Sequence, residues 1–372
     1  DAHTIVPELS TSVHFQQLPL WANFKSLHGW TSLLFNVEVT IENQEPLKFS
    51  LCVLVRKFMK FFSLAYIPMG PDCIVSERSL YLQMTSELTE ALKSYLPKNT
   101  FCVRIDPPID FDSPEDRDKY LATKNLGLKN AVPNSKLCKA LVDIQPPDTV
   151  VLDIAVPQEE LLKNMKAKWR YNIKLAIRKG VTIKRYGSDH IDTFYKLFKI
   201  TADRDSIATH AKSYYDSLLK LSEAQSTRNM EQSKVILYVA YAPADTVSSP
   251  EKLGEPLAGI IVLQVNGGEA IYLYGASSDQ RRNLMPAYLL QWTAIQDAQE
   301  YGCKSYDFYG IPPTDDENHP MHGLWRFKTG FGGKNVHRIG SLDNPMSWIY
   351  TPYRKVEKMR AWYYKDFKKK HR

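Results

Sequence analysis

Lys328 sits where a chain can approach a ligand closely. It follows Gly323-Leu324-Trp325-Arg326-Phe327 and precedes Thr329-Gly330-Phe331-Gly332-Gly333, so an aromatic-basic segment closes on glycines, which permit tight turns and close backbone approach. Upstream, Tyr306-Asp307-Phe308-Tyr309-Gly310-Ile311 reads as a β-like run, joined to that segment by a Pro/Asp-rich loop. Lys328 is therefore the first candidate for chemistry. A second basic feature is the series Lys166, Arg170, Lys174 and Arg178, one residue in four on helical spacing. Such a stripe suits phosphates of an RNA, or simply a solvated helix face. Lys25 lies in a short amphipathic segment, with Pro19 at its start and Gly29 at its stop. His319-Pro320-Met321-His322 has a proline between its histidines and no further ligand cluster, so no metal is assigned.

The chain behind these candidates has 372 residues, a length that predicts about two domains. Hydrophobic content of 44% and charged content of 24% are ordinary globular values, so folded structure is expected nearly throughout. Lys and Arg outnumber Asp and Glu by 48 to 41, a net charge of +7, which favours anionic partners such as phosphates, RNA or an acidic membrane surface without choosing among them. The five cysteines are odd in number and scattered, with no Cys-x-x-Cys spacing. That excludes a disulfide framework and a zinc ribbon, and fits a reducing cytoplasm. Asp1-Ala2-His3-Thr4 lacks the features of a signal peptide, and no apolar run reaches the roughly 18 residues of a spanning helix. A soluble protein is expected, with contact to the inner membrane face left open.

Periodicity supplies the elements that position the candidates. Strands are predicted over 33–40, 49–56, 101–106 and 150–154, with a helix over 76–96 and a polar, partly helical segment of roughly forty residues before 150. The clearest helix spans 159–179, with Leu162, Met165, Trp169, Ile173 and Ala176 as its apolar stripe and Gly180 as its stop. Strands at 181–186, 234–241, 257–265 and 270–276 follow, with helices at 189–200, 214–223 and 286–301, and a final helix over 348–372 that ends Lys368-Lys369-Lys370-His371-Arg372. Strands then helices thus occur twice, before and after about residue 157, without a literal repeat.

Residues 271–309 have the layout of half a GNAT-type acyltransferase: strand, polar turn with Gln280-Arg281-Arg282, helix, then a further strand. That fold binds coenzyme A pyrophosphate on backbone N–H groups of a Gly-rich turn at a helix N-terminus. Here the turn reads Asn283-Leu284-Met285-Pro286, with no glycine and a proline that lacks an N–H. A different activated acyl group is expected, and no cofactor.

The chain resembles the FemABX peptidyltransferases, tandem GNAT-like proteins that move an amino acid from aminoacyl-tRNA to the side-chain amine of a peptidoglycan precursor. The resemblance covers most of the chain. It rests on Trp21-Ala22-Asn23-Phe24-Lys25 with Gly29-Trp30, Arg104-Ile105-Asp106-Pro107, Lys168-Trp169-Arg170-Tyr171-Asn172-Ile173, Thr201-Ala202-Asp203-Arg204-Asp205, Tyr272-Leu273-Tyr274-Gly275-Ala276-Ser277, and the two segments around Tyr309 and Lys328. It implies that Lys25 contacts the diphosphate of the precursor and that Tyr272 and Tyr274 line its site. Alternation along a strand sends both tyrosines to one face. Where the family tends to place an arginine before the pair Tyr214-Tyr215, this chain has Thr209-His210-Ala211-Lys212. His210 or Lys212 then takes that part, with Tyr215 beside it. The resemblance also implies Asp106 as a proton acceptor for the attacking amine, against the alternative of a carboxylate capping the Pro107-Pro108 turn. It implies Lys328 beside the tRNA acceptor end, stabilising the tetrahedral oxyanion or the leaving ribose oxygen, and Phe327 stacking on the terminal adenine. Lys166, Arg170, Lys174 and Arg178 would hold the acceptor arm. No long charged hairpin interrupts the second half, so the compact, arm-less form of the family is expected.

The sequence thus predicts a mixed α/β protein of two tandem GNAT-like domains, 1–156 with a returning C-terminal helix at 345–372, and 157–344. The predicted activity is aminoacyl transfer from tRNA to a UDP-linked or lipid-linked peptidoglycan precursor, by a cytoplasmic monomer. A GNAT-like transferase with another donor or acceptor, and a non-catalytic RNA- or membrane-binding module, are the competing expectations.

Overall fold

A computed structural model describes residues 14–40, 45–58, 61–73, 75, 77–131, 135–205, 209–226, 232–244 and 253–363. Asp1 to Thr4, part of the loop at 242–256 and the basic end from Lys368 to Arg372 lie outside the described residues. The chain divides into two units, Asp1–Asp148 with Val336–Arg372, and Thr149–Asn335.

The first unit contains α1 (Pro19–Ser26), β1 (Thr31–Val39), β2 (Leu47–Phe58), β3 (Phe62–Ile67), α2 (Arg78–Leu92), β4 (Thr100–Ile105), β5 (Asp110–Phe111), α3 (Pro114–Ala131) and β6 (Cys138–Lys139). Its fold uses a second, distant stretch of chain. Strand β13 (Lys334–Arg338) pairs with β5, β14 (Leu342–Pro345) enters the main sheet, and α10 (Tyr350–Trp362) closes the described chain. The sheet order is β1-β2-β3-β4-β14-β6, with β3 and β4 parallel and the other pairs antiparallel. One face carries a core of Leu51, Val53, Ala65, Ile67, Val103 and Ile105 under α2. The opposite face packs Cys52, Leu54, Leu64, Tyr66 and Phe101 against Ala22 of α1 and Tyr350 of α10. Alternate residues on both faces are apolar because helices cover both.

The second unit runs β7 (Asp148–Asp153), α4 (Gln158–Asn164), α5 (Ala167–Arg178), β8 (Thr182–Tyr186), α6 (Ile191–Asp205), α7 (Lys212–Ser226), β9 (Ser233–Tyr241), β10 (Pro256–Val265), β11 (Glu269–Ser277), α8 (Pro286–Glu300), β12 (Ser305–Asp307) and α9 (His322–Thr329). Its strands are ordered β7-β12-β11-β10-β9-β8. Only β11 and β12 pair in parallel, the connection between them being the α8 crossover. Val262, Ala270 and Tyr306 join α5 and α8 in one core. The architecture is the mixed α/β class predicted from the sequence.

Three local features differ from the periodicity. The helix predicted over 159–179 is two helices, because Met165 and Lys166 are extended, with ψ of 150° and 141°. The Lys166 N–H instead donates to the Gly330 carbonyl at 2.9 Å. The apolar stripe survives the break, since Met165, Trp169, Ile173 and Ala176 are all buried. The segment around Lys328 is helical, as α9, and β14 is a strand that hydrophobic periodicity does not announce.

Candidate functional site

Lys328 sits on the last turn of α9 with its side chain turned inward and only 6% of its surface exposed. Its ammonium donates to the carbonyls of Tyr309 and Gly310, each at 2.9 Å, and lies 5.4 Å from the centre of the Tyr272 ring. The location follows from the sheet. Strand β11 is paired with β12 only as far as Ile271 and Asp307, then runs on to Ser277. Beyond Asp307 the chain stays with β7 instead, Phe308 N–H donating to Val150 O at 2.8 Å. The two strands therefore part, and the Lys328 ammonium lies between the Tyr272 ring and the Tyr309 carbonyl. Tyr309 has a left-handed backbone, φ 58°, which costs a non-glycine residue roughly 1–3 kcal/mol. Its N–H donates to Asp307 Oδ1 at 2.6 Å, and Thr149 Oγ1 donates to the same oxygen. That turn aims two successive carbonyls at one ammonium. Burial pulls the Lys328 pKa down to about 7, with the Asp307 carboxylate acting in the opposite direction.

The glycines after Lys328 serve packing against the protein itself. A Cβ on Gly330 would fall inside the Trp169 indole, and one on Gly332 would lie 2.6 Å from Asn164 O. A Cβ on Gly333 would lie 2.9 Å from Val151 O. Trp169 completes the junction by donating Nε1–H to Phe327 O at 2.9 Å. Gly332 also has φ +92°. Gly332→Ala is accordingly expected to lower stability by about 1–3 kcal/mol, from backbone strain alone. Urea unfolding would check this, and a loss under about 0.5 kcal/mol, the range of an ordinary surface change, would refute it.

Phe327 is half-buried, edge-on to Tyr288 at 5.3 Å and Phe331 at 5.4 Å. Lys166 is exposed, with its ammonium 5.9 Å from the Trp169 ring and 5.8 Å from the Trp325 ring. Phe327 and Lys166 thus share one aromatic-basic cluster with Lys328 on α9. The rest of the basic stripe is not uniform. Lys174 and Arg178 are exposed on α5, whereas Arg170 Nη1 donates to the last carbonyls of α4, Leu162 and Lys163 at 3.2 Å and also Met165.

Tyr272 and Tyr274 do not share a face. Val262 of β10 pairs with Tyr272 and its neighbour Ile261 with Tyr274, so the extra residue, Leu273, forms a β-bulge. Tyr272 packs with the α5 and α8 core, while Tyr274 meets the Tyr215 ring edge-on at 4.9 Å. The alternation expected along the strand is broken by that one inserted residue. Gly275 is needed nearby, because a Cβ there would occupy the place of the Tyr272 hydroxyl. Tyr215 itself is buried among Phe194, Phe198 and Tyr274, and its hydroxyl accepts from His210 N–H at 3.2 Å. His210 is exposed and stacked on Tyr214 with ring centres 4.0 Å apart. Lys212 pairs with Asp192 at 2.7 Å on the surface.

In the first unit, Lys25 stands at the C-terminal end of α1, 5.7 Å from the Trp21 ring centre and 5.6 Å from that of Trp30. The Arg56 guanidinium lies 5.4 Å from the centre of the same Trp30 ring. Burial, then the Arg56 charge, lowers the Lys25 pKa to about 8. Two cations around one indole make a site that favours an anion. Trp30 in turn lies 6.1 Å from Tyr66, whose hydroxyl donates to Asp106. Asp106 is 3% exposed at the end of β4 and takes its second bond from Ser341 Oγ. Burial raises its pKa to about 6, against the two hydroxyl donors that lower it. Gln145 Nε2 donates to Tyr66 OH at 3.2 Å. Lys25 and Asp106 are thus joined through Trp30 and Tyr66. Arg56 and Tyr66 escaped sequence reasoning, since nothing in their spacing marks them, and Tyr309 reads in the sequence only as part of a β-like run.

The pattern of the FemAB family matches residues 8–227 and 242–358. The lipid II:glycine glycyltransferase of Staphylococcus haemolyticus (strain JCSC1435) is 26% identical over 374 residues, covering 88% of this chain and 87% of that protein. The protein of the same name from Staphylococcus aureus (strain COL) is 26% identical over 376 residues, with the same coverage. Among solved structures, the crystal structure of FemX superposes with a TM-score of 0.70 at 21% identity, covering 93% of this chain and 94% of that one, a likeness of fold.

Proposed function

This chain belongs to the FemAB family, and from that premise we propose that it is an aminoacyltransferase of cell-wall synthesis, moving an amino acid from tRNA to the side-chain amine of a peptidoglycan precursor. The observation that carries the reading is Lys328, an ammonium seated by two carbonyls where the pairing of β11 with β12 ends. An ammonium has three N–H donors. Two are committed to Tyr309 and Gly310, and the third is available to an oxygen on which negative charge develops. In the transfer, the amine nitrogen attacks the ester carbonyl carbon, the carbonyl oxygen becomes an oxyanion, and the ribose oxygen leaves with a proton as the C–O bond breaks. Lys328 stabilises that oxygen charge. Phe327 and Lys166 receive the terminal nucleotide by stacking and charge, and Lys174 and Arg178 act further along the phosphates.

Lys25, with Arg56, binds the precursor diphosphate. Asp106, each of whose oxygens accepts one hydroxyl hydrogen bond, acts through Tyr66 by fixing its hydroxyl. Tyr272 lies beneath the reacting group, and Tyr215 holds the His210 turn beside Tyr274. Glycine is the first donor to test, since the named relatives are glycyltransferases.

The test is to mix purified protein with labelled glycyl-tRNA, other aminoacyl-tRNAs and precursors bearing lysine, either UDP-linked or lipid-linked. Labelled precursor is the expected product, and no tRNA-dependent product with any donor would overturn the reading. In the same assay Lys25→Ala is expected to raise the precursor KM by roughly tenfold or more, the scale of one charge-assisted contact, with kcat little changed. An unaltered KM would remove Lys25 from the binding site.

A further inference from the structure

Helix α10 has two faces of opposite character. Its inner face is occupied: Tyr350 is buried, Tyr353 meets Phe101 at 4.7 Å, and Glu357 is paired with the buried Arg104 at 2.7 Å. Its outer face carries Val356, Met359, Trp362 and Tyr363, with Met359 61% and Trp362 57% exposed. Trp348, just before the helix, is 79% exposed. At 3.6 residues per turn, Val356, Met359 and Tyr363 form one strip, Lys355, Lys358 and Trp362 border it on one side, and Arg360 on the other. The three basic side chains are exposed, and the only acid in the helix, Glu357, points inward to Arg104. The aromatic residues stand at the two ends, on the order of 20 Å apart for a helix of this length.

We propose that this outer face docks α10 flat on an anionic lipid surface. The pattern is that of an interfacial helix: an apolar strip, cations on both flanks to meet acidic headgroups, and tryptophan and tyrosine at the level where water gives way to acyl chains. The exposed Lys355 and Lys358 beside the apolar strip are what select an anionic bilayer as the occupant. Among the described residues no helix is long and apolar enough to cross a membrane, so attachment is peripheral. The inference rests on α10 alone and goes beyond the transfer reaction. It would place the enzyme where a lipid-linked acceptor resides.

The test uses the whole chain and co-sedimentation with vesicles, either phosphatidylcholine alone or phosphatidylcholine mixed equally with phosphatidylglycerol. Binding is expected to the phosphatidylglycerol vesicles and to weaken in high salt. Met359→Glu with Trp362→Glu should weaken it by about tenfold or more, since both apolar anchors and the charge balance are lost. Lys355→Glu with Lys358→Glu should do so without removing an apolar group. Thermal unfolding unchanged by these exposed substitutions shows that the fold is retained. Failure of the intact chain to bind, or binding by both double variants as strong as that of the parent, would overturn the proposal. So would a lipid-free dimer abolished by Met359→Glu with Trp362→Glu, which would make a second copy the occupant. Vesicle binding needs neither tRNA nor precursor, so its outcome is separate from that of the transfer assay.

Discussion

Lys328→Ala is expected to reduce turnover by roughly two to three orders of magnitude, the scale of losing one oxyanion donor, while leaving the precursor dissociation constant within about twofold of the parent, because it removes an interaction made in the transition state. The pH dependence gives the sharper form. Lys328 is charged below its pKa of about 7 and neutral above it, so the advantage of the parent over the alanine variant should shrink as pH rises through 7. Taking the ratio of the two enzymes cancels the titration of the substrate amine. A ratio constant across neutral pH would refute the role of the charge. Stability should move oppositely. Between pH 7 and the ordinary lysine value of 10.5, the folded chain binds fewer protons at this site than the unfolded chain, so stability rises with pH over that window and the cost of the buried cation is fully present below it. The alanine variant loses that dependence. It also takes one hydrogen-bond donor from each of the half-buried Tyr309 and Gly310 carbonyls.

Arg104→Ala is expected to destabilise the protein by about 3–5 kcal/mol, because it strands buried carboxylates. The arginine is 2% exposed and uses all five of its N–H donors. Nε and Nη2 grip Asp343 at 2.7 and 2.9 Å, Nη1 and Nη2 grip Glu357 at 2.7 and 3.0 Å, and Nη1 also donates to Val142 O at 3.3 Å. Burial works against the charge, and the bonds to Asp343 and Glu357 outweigh it, so the arginine stays ionised. Without it, Asp343 at 1% exposure retains the Tyr350 hydroxyl at 2.9 Å. Urea denaturation at neutral pH would read the loss. A loss under about 1 kcal/mol would show that the pair contributes little. Removing both charges, with Arg104→Met and Asp343→Asn, should recover part of the loss.

Much of the scaffold was legible because its elements carry their own signals. Helix α5 repeats Trp169, Ile173 and Ala176 on one face, and α8 begins at a proline and ends before Gly302. The features that shape the site were hidden for identifiable reasons. Strand β14 reads Leu342-Asp343-Asn344-Pro345, a polar string that looks like a turn, yet it lies inside a sheet because Asp343 is answered by Arg104 and Asn344 by Thr89 at 2.6 Å. Those partners are more than two hundred residues away. The bulge at Leu273 inserts no unusual residue, so nothing warned that Tyr272 and Tyr274 would part. Tyr309 takes a left-handed conformation without a glycine to announce it. Helix α9 was obscured by its brevity and by Gly323, and is secured by Trp169 from another helix. The candidate lysines, by contrast, stood out through their aromatic neighbours.

The insertion of β14 between β4 and β6 also bears on the order in which the chain can mature on the ribosome. The first 148 residues emerge early but contain a sheet with an interior gap, and the strand that fills it is translated only after residue 341. Residues 149–335 form an uninterrupted stretch and can complete their own strand order as they appear. The N-terminal portion must wait through the whole of that synthesis with β4 presenting an unfilled edge, the kind of edge that recruits foreign strands. Vectorial synthesis therefore finishes the unit that begins first last.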